Sequence, residues 1–241
     1  MAARIATIAL SIAVTLAVPA VLVVNGVRLV TNDRYVEAVY EHGGVPDDRY
    51  GLPADERERL ALIGLRSIQP STAEGIDLLR EARLPNGEPA FNGRELTHME
   101  DVRTAVGRAY RFQVIAAIAI GILALLLALL TAMRTLVPVA LARGAVLTAV
   151  LAVVVGIVAA TSYNAFEEPF HRLFFEGETW RFEETDTLRR LYPDRFWLDT
   201  AVVIGVLAVL QAAVVFAVAR LWARRAGVRK PARMRARTEG T

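Results

Sequence analysis

Two of the three histidines in this sequence are candidates for proton transfer. His98 stands in the sequence FNGRELTHMEDVR and His171 in FEEPFHRLFFEGETW. Imidazole is the side chain whose ordinary pKa lies nearest neutral pH, so it can accept and return a proton under physiological conditions. The third histidine, His42, stands in a glycine-rich turn that gives its ring no fixed geometry. We therefore treat His98 and His171 as the candidate catalytic groups.

The residues around His98 predict the start of a helix. Thr97 and Glu100 have the spacing of a capping box, in which the side chain at position 97 caps the helix and that of Glu100 reaches back. This spacing would put His98 in the first turn, where the helix dipole disfavours an imidazolium. Glu95 and Asp101, three residues to either side, are both candidates to orient the ring. A surface histidine with no task is the alternative.

The residues around His171 predict a short helix with an aromatic face. Phe170 and Phe174 are four residues apart, and Pro169 suits the first turn of a helix. Trp180 extends the aromatic set, which is typical of the headgroup depth of a bilayer. We therefore expect Phe170, Phe174 and Trp180 to contact a lipid substrate. The alternative is an interfacial anchor whose histidine only hydrogen-bonds a headgroup.

Four apolar runs predict the elements that position these residues. Each is close to the ~20 residues that a helix needs to cross about 30 Å of hydrocarbon. The predicted spans are 5–30, 112–133, 143–163 and 198–221. The first is too long for the apolar part of a signal peptide, so we predict a retained anchor. The expected fold is all-α, a four-transmembrane-helix bundle with a mostly helical extracytoplasmic cap, forming one integral membrane domain over 1–241.

Charge predicts the orientation of these spans. Segments 31–111 and 164–197 are acidic on balance, whereas the tail 222–241 is strongly basic. Positive residues beside short flanks stay in the cytoplasm, so both termini are predicted there, with both histidines outside. The tail reads as a flank that attracts anionic lipid headgroups. No nucleic-acid binding is expected, because no aromatic residues interleave the basic ones.

The first outer segment is too long for a plain loop and should be folded. Residues 32–40 read as a continuation of the first helix, and 54–65 and 72–83 have helical spacing. Turn signals at 85–87 suggest a short hairpin. The segment 43–90 is expected to form an amphipathic cap that lies on the bilayer.

Composition removes several chemistries. The chain has no cysteine, so thiol nucleophiles and thiolate metal sites are excluded. Zinc is not expected either, because the histidines are scattered and no HExxH motif is present. Gln211 is the only strongly polar side chain near the centre of a span, which disfavours transport. Within the first predicted span, the unbroken apolar run ends at Val24, and Asn25 and Arg28 follow it. Arg28 is a candidate either to stabilise an oxyanion or to reach a headgroup.

Three motifs carry a family resemblance. ELTHMEDVR, PFHRLFFEGETW and LYPDRFW are together similar to the four-helix membrane family that includes bacterial lipoprotein intramolecular transacylase, with motif similarity over about 91–103 and 166–197. The resemblance implies transfer of an acyl chain from the middle glycerol ester of a diacylglyceryl-cysteine to the α-amino group of that cysteine. The histidines to which this chemistry is attributed match His98 and His171.

The resemblance also implies the partners. These are membrane lipids and diacylated lipoproteins, without a nucleic acid, metal or other cofactor. The alternative function is that of a non-catalytic lipid-binding or scaffolding membrane protein, which would tolerate the loss of either imidazole.

Overall fold

The computed structural model describes residues 2–42, 45–129, 136–175 and 177–226. Over these residues the chain forms nine helices and one isolated antiparallel bridge. In chain order the helices are α1 (Ala2–Val30), α2 (Asp33–Glu41), α3 (Ala54–Ile68), α4 (Asp77–Glu81), α5 (Gly93–Leu129), α6 (Leu136–Thr161), α7 (Tyr163–Phe174), α8 (Thr187–Leu191) and α9 (Asp194–Arg225).

Helices α1, α5, α6 and α9 are long and apolar enough to cross a membrane. They confirm the predicted all-α fold with four transmembrane helices. The 37 residues of α5 extend about 55 Å at 1.5 Å per residue, well beyond the ~30 Å of hydrocarbon. Charged side chains recur along its first half up to Arg111, and from Phe112 onward its residues carry no charge. Residues 93–111 therefore stand outside the membrane.

Two predicted segments extend past the part of the chain that the structure describes. The end of the predicted span 112–133 and most of the basic tail 222–241 lie outside the described residues. The third membrane-spanning helix, α6, begins at Leu136, whereas its span was predicted to start at 143.

Small residues let α1, α6 and α9 pack closely. A Cβ atom at Gly144 on α6 would lie 2.6 Å from Cβ of Val18 and 2.9 Å from the carbonyl oxygen of Thr15, both on α1. Ala145 and Ala212 are buried nearby. Lipid tails are as apolar as the helices, so close van der Waals contact is a main source of attraction between them. Helix α5 packs chiefly on α1 and leaves most of its apolar surface exposed.

A chain of amides crosses the interior of the bundle. Asn25 on α1 donates from Nδ2 to Oε1 of Gln211 on α9 at 2.6 Å. Gln113 on α5 donates from Nε2 to Oδ1 of Asn25 at 3.3 Å. Gln211, the polar side chain predicted near the centre of a span, is therefore hydrogen-bonded to Asn25 and linked through it to Gln113. These bonds give Asn25 a role in joining helices, and its contact with a substrate stays a prediction.

The cap formed by α2, α3, α4 and α8 has a hydrophobic core of its own. Leu60, Ala61, Leu79 and Leu191 are each at most 1% exposed, so α3, α4 and α8 bury their apolar faces against one another. The Tyr192 hydroxyl donates to the carbonyl oxygen of Ala61 at 2.6 Å and fixes the end of α8 against α3. The apolar side chains that were predicted to rest on the bilayer therefore face each other inside the cap.

Two helix boundaries in the cap also differ from those predicted. Residues 32–40 do not continue the first helix, because Asn32 takes an extended conformation and caps α2, accepting from the Tyr35 backbone N–H at 3.2 Å. The helix predicted over 72–83 shrinks to α4, since Gly75 has a positive φ of 54° that an α-helix cannot include. The hairpin is present as the bridge between Arg83 and Pro89.

Candidate active site where the start of α5 meets the end of α7

Helix α5 begins with a capping box, five residues earlier than predicted. The Asn92 side chain accepts from the Glu95 N–H at 3.0 Å, and the Glu95 carboxylate accepts from the Asn92 N–H at 2.7 Å. Thr97 does not cap the helix; its hydroxyl donates back to the Gly93 carbonyl at 3.0 Å. His98 consequently lies in the second turn, and the helix terminus is no longer the main influence on its ring.

The same helix start is tied to a segment more than 90 positions later. Glu95 is 1% exposed, and its second carboxylate oxygen accepts from the Leu188 N–H at 2.6 Å. Asp186 accepts from Asn92 at 2.8 Å and from the Arg94 guanidinium at 2.8 Å. These contacts hold the start of α8 against the start of α5. They bring the residues just before α8 next to His98.

His98 is enclosed by aromatic rings. Its ring centroid lies 5.2 Å from those of Phe175 and Phe182 and 6.1 Å from that of His171. The side chain is 7% exposed, and its buried Nδ1 has no hydrogen-bond partner in the described part of the chain. Burial, followed by the neighbouring His171, lowers the pKa of His98 to about 4. The ring is therefore neutral at physiological pH.

Helix α7 brings His171 to the other side of this cluster. The helix starts at Tyr163, so Pro169 lies in its interior and not in the first turn as predicted. The His171 Nδ1 lies 2.9 Å from the carbonyl oxygen of Glu167. A carbonyl oxygen can only accept, so Nδ1 carries the proton and Nε2 of the neutral ring keeps a free lone pair.

His171 is also shifted toward the neutral form. Its burial lowers the pKa of the imidazole, while the hydrogen bond to the Glu167 carbonyl opposes that shift. Trp180 stacks on the ring with centroids 4.7 Å apart and an angle of 17° between the planes. The indole itself is 9% exposed. A neutral imidazole with a free Nε2 is a competent general base.

The aromatic walls were only partly foreseen. Phe175 follows His171 by four residues, a helical spacing that places the two side chains together. Phe182 carries no local signal of this kind, because its approach to His98 depends on the ties between α5 and α8.

The two carboxylates predicted to orient His98 lie elsewhere. Both oxygens of Glu95 accept from backbone N–H groups, and burial raises the pKa of this carboxyl group. Asp101 is exposed on α5. Among the hydrogen bonds of the described residues, none joins either carboxylate to the His98 ring. His42, also exposed, bonds only to the Ala38 carbonyl in its own helix.

Three predicted substrate contacts lie at the periphery. Phe170 and Phe174 are 44% and 53% exposed on the outer face of α7. Arg28 belongs to the last turn of α1, and its guanidinium lies 4.2 Å from the centroid of the Tyr110 ring. Tyr110 follows His98 by 12 residues on α5, about 18 Å along the helix axis. Arg28 is therefore too far from the histidines to contact an oxyanion there.

A separate groove lies on another face of α5. It encloses about 500 Å³ and is lined in part by Glu74, Arg80, Glu100 and Arg103. Arg103 is already committed to the carbonyl oxygens of Ser67, Gln69 and Thr72. The groove includes neither histidine. We place the candidate active site at the histidine pair, because the two neutral imidazoles there can accept a proton. Within the described ranges, no group of three His, Asp or Glu side chains could hold a metal ion.

Comparison with known proteins agrees with this architecture. Residues 12–197 match the model of the family described as lipoprotein intramolecular transacylase Lit. The chain belongs to this family. A protein of Aquifex aeolicus described as uncharacterized is 30% identical over 183 residues, which cover 76% of this chain and 80% of that protein. The family thus includes proteins that carry no assigned activity.

Two solved structures share the fold. The membrane-integral lipoprotein intramolecular transacylase Lit from Bacillus cereus aligns with a TM-score of 0.68 at 15% identity, covering 92% of this chain and 96% of that one. A variant of the same protein, with one histidine replaced by arginine, aligns with a TM-score of 0.65 at 14% identity over 91% and 92% of the two chains. The chain is thus a multi-pass membrane protein with the transacylase fold.

Proposed function

We propose that this chain moves an acyl chain from the diacylglyceryl ester of a membrane lipoprotein to the amine of its N-terminal cysteine. The observation that carries the proposal is the pairing of His98 with His171, whose ring centroids are 6.1 Å apart inside one aromatic cluster. Two neutral imidazoles side by side suit a reaction that takes a proton from a nucleophile and returns one to a leaving group. Membership of the transacylase family supports the acyl transfer.

The steps follow from the state of each ring. His171 takes a proton from the α-ammonium group at Nε2, and this proton passes to solvent. The freed amine then attacks the ester carbonyl carbon. As the C–N bond forms, the neutral His98 takes the second proton from the attacking nitrogen, and it returns this proton to the glycerol oxygen as the ester C–O bond breaks. One amide, one glycerol hydroxyl and one released proton balance the reaction. Nucleophile and ester belong to one molecule, so the enzyme need not bring two reactants together.

The surroundings fit a lipid substrate. Phe170 and Phe174 present apolar surface directly beyond the outer end of α6, where we propose that they contact acyl chains. Trp180 forms the wall beside His171. Arg28, held over Tyr110 at the end of α1, is proposed to reach a lipid headgroup. We infer from the charge distribution that both termini are cytoplasmic and both histidines are outside.

Mass spectrometry of lipoprotein N-termini tests the proposal. Cells that lack other N-acylation of lipoproteins, expressing this chain, should accumulate lipoproteins with an N-acyl cysteine and a lyso-glyceryl group. His98→Ala or His171→Ala should reduce that product about 100-fold or more, because general acid–base catalysis contributes about 10²–10⁴ in rate. His42→Ala, at an exposed site, is the matched control and should keep full activity.

The double variant separates the two functions weighed from the sequence. Full N-acylation by the His98→Ala, His171→Ala protein at matched expression would overturn the catalytic proposal. It would leave a membrane protein that binds lipid without acting on it.

A further inference from the structure

One donor in the aromatic cluster has no partner. The indole Nε1 of Trp180 is buried, and its N–H donates to no acceptor in the described part of the chain; the side chain is 9% exposed. Leaving such a group unpaired costs about 1–3 kcal/mol. Buried donors in native proteins nearly always find an acceptor, so an unpaired one calls for an explanation. An indole N–H can only donate, so its missing partner is an acceptor atom.

The position of this donor narrows the choice of acceptor. The indole is stacked on His171, with centroids 4.7 Å apart, so a group bound at the edge of the imidazole lies beside the indole as well. The Arg181 guanidinium lies 5.1 Å from the indole centroid, where its charge is offset by Glu178 at 2.6 Å and Glu168 at 3.6 Å. The indole N–H beside the proposed base therefore favours an acceptor that gains negative charge during the reaction.

Packing against α7 holds Trp180 in place. The indole is 9% exposed and stacks on His171, and the neighbouring Arg181 lies 3.6 Å from Glu168 on α7. The indole is therefore held in place before any substrate binds. A donor fixed in advance needs little reorganisation when charge develops opposite it, which is the condition for effective electrostatic catalysis.

We propose that the Trp180 indole N–H donates to the acyl carbonyl oxygen and stabilises the oxyanion that forms when the amine attacks. This inference rests on the proposed function and adds the group that its mechanism lacks. Attack on the ester moves an electron pair of the C=O bond onto oxygen, and collapse of the intermediate returns that pair as the glycerol oxygen departs. The N–H bond of Trp180 is neither broken nor formed. It strengthens its hydrogen bond as the negative charge grows.

Trp180→Phe tests this role, because phenylalanine keeps a flat ring against His171 but has no N–H. We expect kcat to fall about 100-fold, the loss typical of removing one oxyanion donor, with KM and the pH profile unchanged. Trp197→Phe is the matched control: Trp197 is 46% exposed at the start of α9 and should show no change. A kcat within twofold of the parent protein, or a rise in KM alone, would overturn the inference, since KM alone reports ground-state binding.

A second measurement applies if Trp180→Phe does not fold. The chain has three tryptophans, so ¹⁵N labelling of the indoles of the unaltered protein gives three signals, assigned by Trp197→Phe and Trp222→Phe. A diacylglyceryl-cysteine peptide with a phosphonate in place of the middle ester mimics the charged intermediate. Its binding should move the Trp180 indole proton downfield. An unmoved signal at saturation would overturn the inference.

The outcomes separate this inference from the proposed function. If Trp180→Phe keeps full activity while His171→Ala loses it, the oxyanion role fails and the histidine mechanism stands. If the histidine variants also keep full activity, the proposed function itself fails.

Discussion

At the scale of single residues, burial decides the state of both histidines. His98 is enclosed by Phe175 and Phe182, and His171 lies between Phe175 and Trp180. Removing an imidazole from water disfavours its charged form, so the pKa of each ring falls below its ordinary value. The helix dipole, which the sequence offered as the reason for a neutral His98, is not needed. The aromatic walls have the same effect.

These lowered pKa values predict how activity depends on pH. A general base must be unprotonated, so kcat/KM should fall as pH decreases through the pKa of His171. Because burial puts that pKa below the ordinary 6.5, activity should persist at pH 6.5 and fall at lower pH. Initial rates of N-acylation on a diacylglyceryl-cysteine peptide, measured in detergent from pH 4 to 8, check this. An acidic limb with its midpoint above 6.5 would contradict it.

At the scale of elements, the site depends on how α8 is fixed to α5. The Glu95 carboxylate accepts from the backbone N–H of Asn92 at the start of α5 and from that of Leu188 in α8. Asp186 adds hydrogen bonds from Asn92 and Arg94. Phe182 and the turn carrying Trp180 precede α8 in the chain, so their approach to the histidines depends on these bonds. Glu95 therefore positions α8 and the residues before it beside the histidines, whereas Asp101 is exposed to solvent.

Replacing each carboxylate by its amide should separate these roles. Glu95→Gln keeps the shape but presents an NH₂ group to one of two backbone donors, so a buried bond is lost at a cost of about 1–3 kcal/mol. We expect lower thermal stability and a several-fold loss of activity. Asp101→Asn, on the same helix, should leave both unchanged. Thermal unfolding in detergent and the N-acylation rate measure the two effects; equal behaviour of the two variants would count against a positioning role.

The helix start shows what the sequence could and could not predict. Two successive patterns, Asn92 with Glu95 and Thr97 with Glu100, both have capping-box spacing, and local propensity does not choose between them. The choice is made by Leu188, whose N–H binds the second oxygen of Glu95. The four spans and the two histidines were predictable, because apolar length and side-chain chemistry are local properties. Contacts across 93 positions are not.

Close packing between α1 and α6 leads to a second prediction for elements. Gly144→Ala would place a methyl group 2.6 Å from Cβ of Val18, so the helices must separate. Overpacking of this kind costs about 1–3 kcal/mol, and we expect a lower midpoint of thermal unfolding. Gly205→Ala on α9 is the control, because nothing lies within 4 Å of a Cβ there. A shift of the same size in both variants would show that helix propensity, not packing, is responsible.

At the scale of the whole molecule, a tight group of three helices supports a more loosely attached fourth. Helices α1, α6 and α9 share the buried small residues of the bundle, and α5 joins them mainly through α1 and the amide chain at Asn25. The outer half of α5 is held instead by the cap, where Arg103 donates to three carbonyl oxygens. The histidine pair thus lies near the start of α5, where the cap meets the end of α7.

Orientation in the membrane provides the last prediction. Asn92 and the exposed Glu178 flank the histidine site, and the sequence has no cysteine, so a single introduced thiol reports one position. We expect Asn92→Cys and Glu178→Cys to react with a membrane-impermeant maleimide in intact cells, because acidic segments lie outside and arginine-rich flanks stay inside. Arg225→Cys, at the other end of α9, should react only after the membrane is permeabilised. Protection of both outer positions in intact cells, with labelling at position 225, would invert the topology. The histidines would then face the cytoplasm, away from lipoproteins anchored on the outer surface, and the proposed substrate would be wrong.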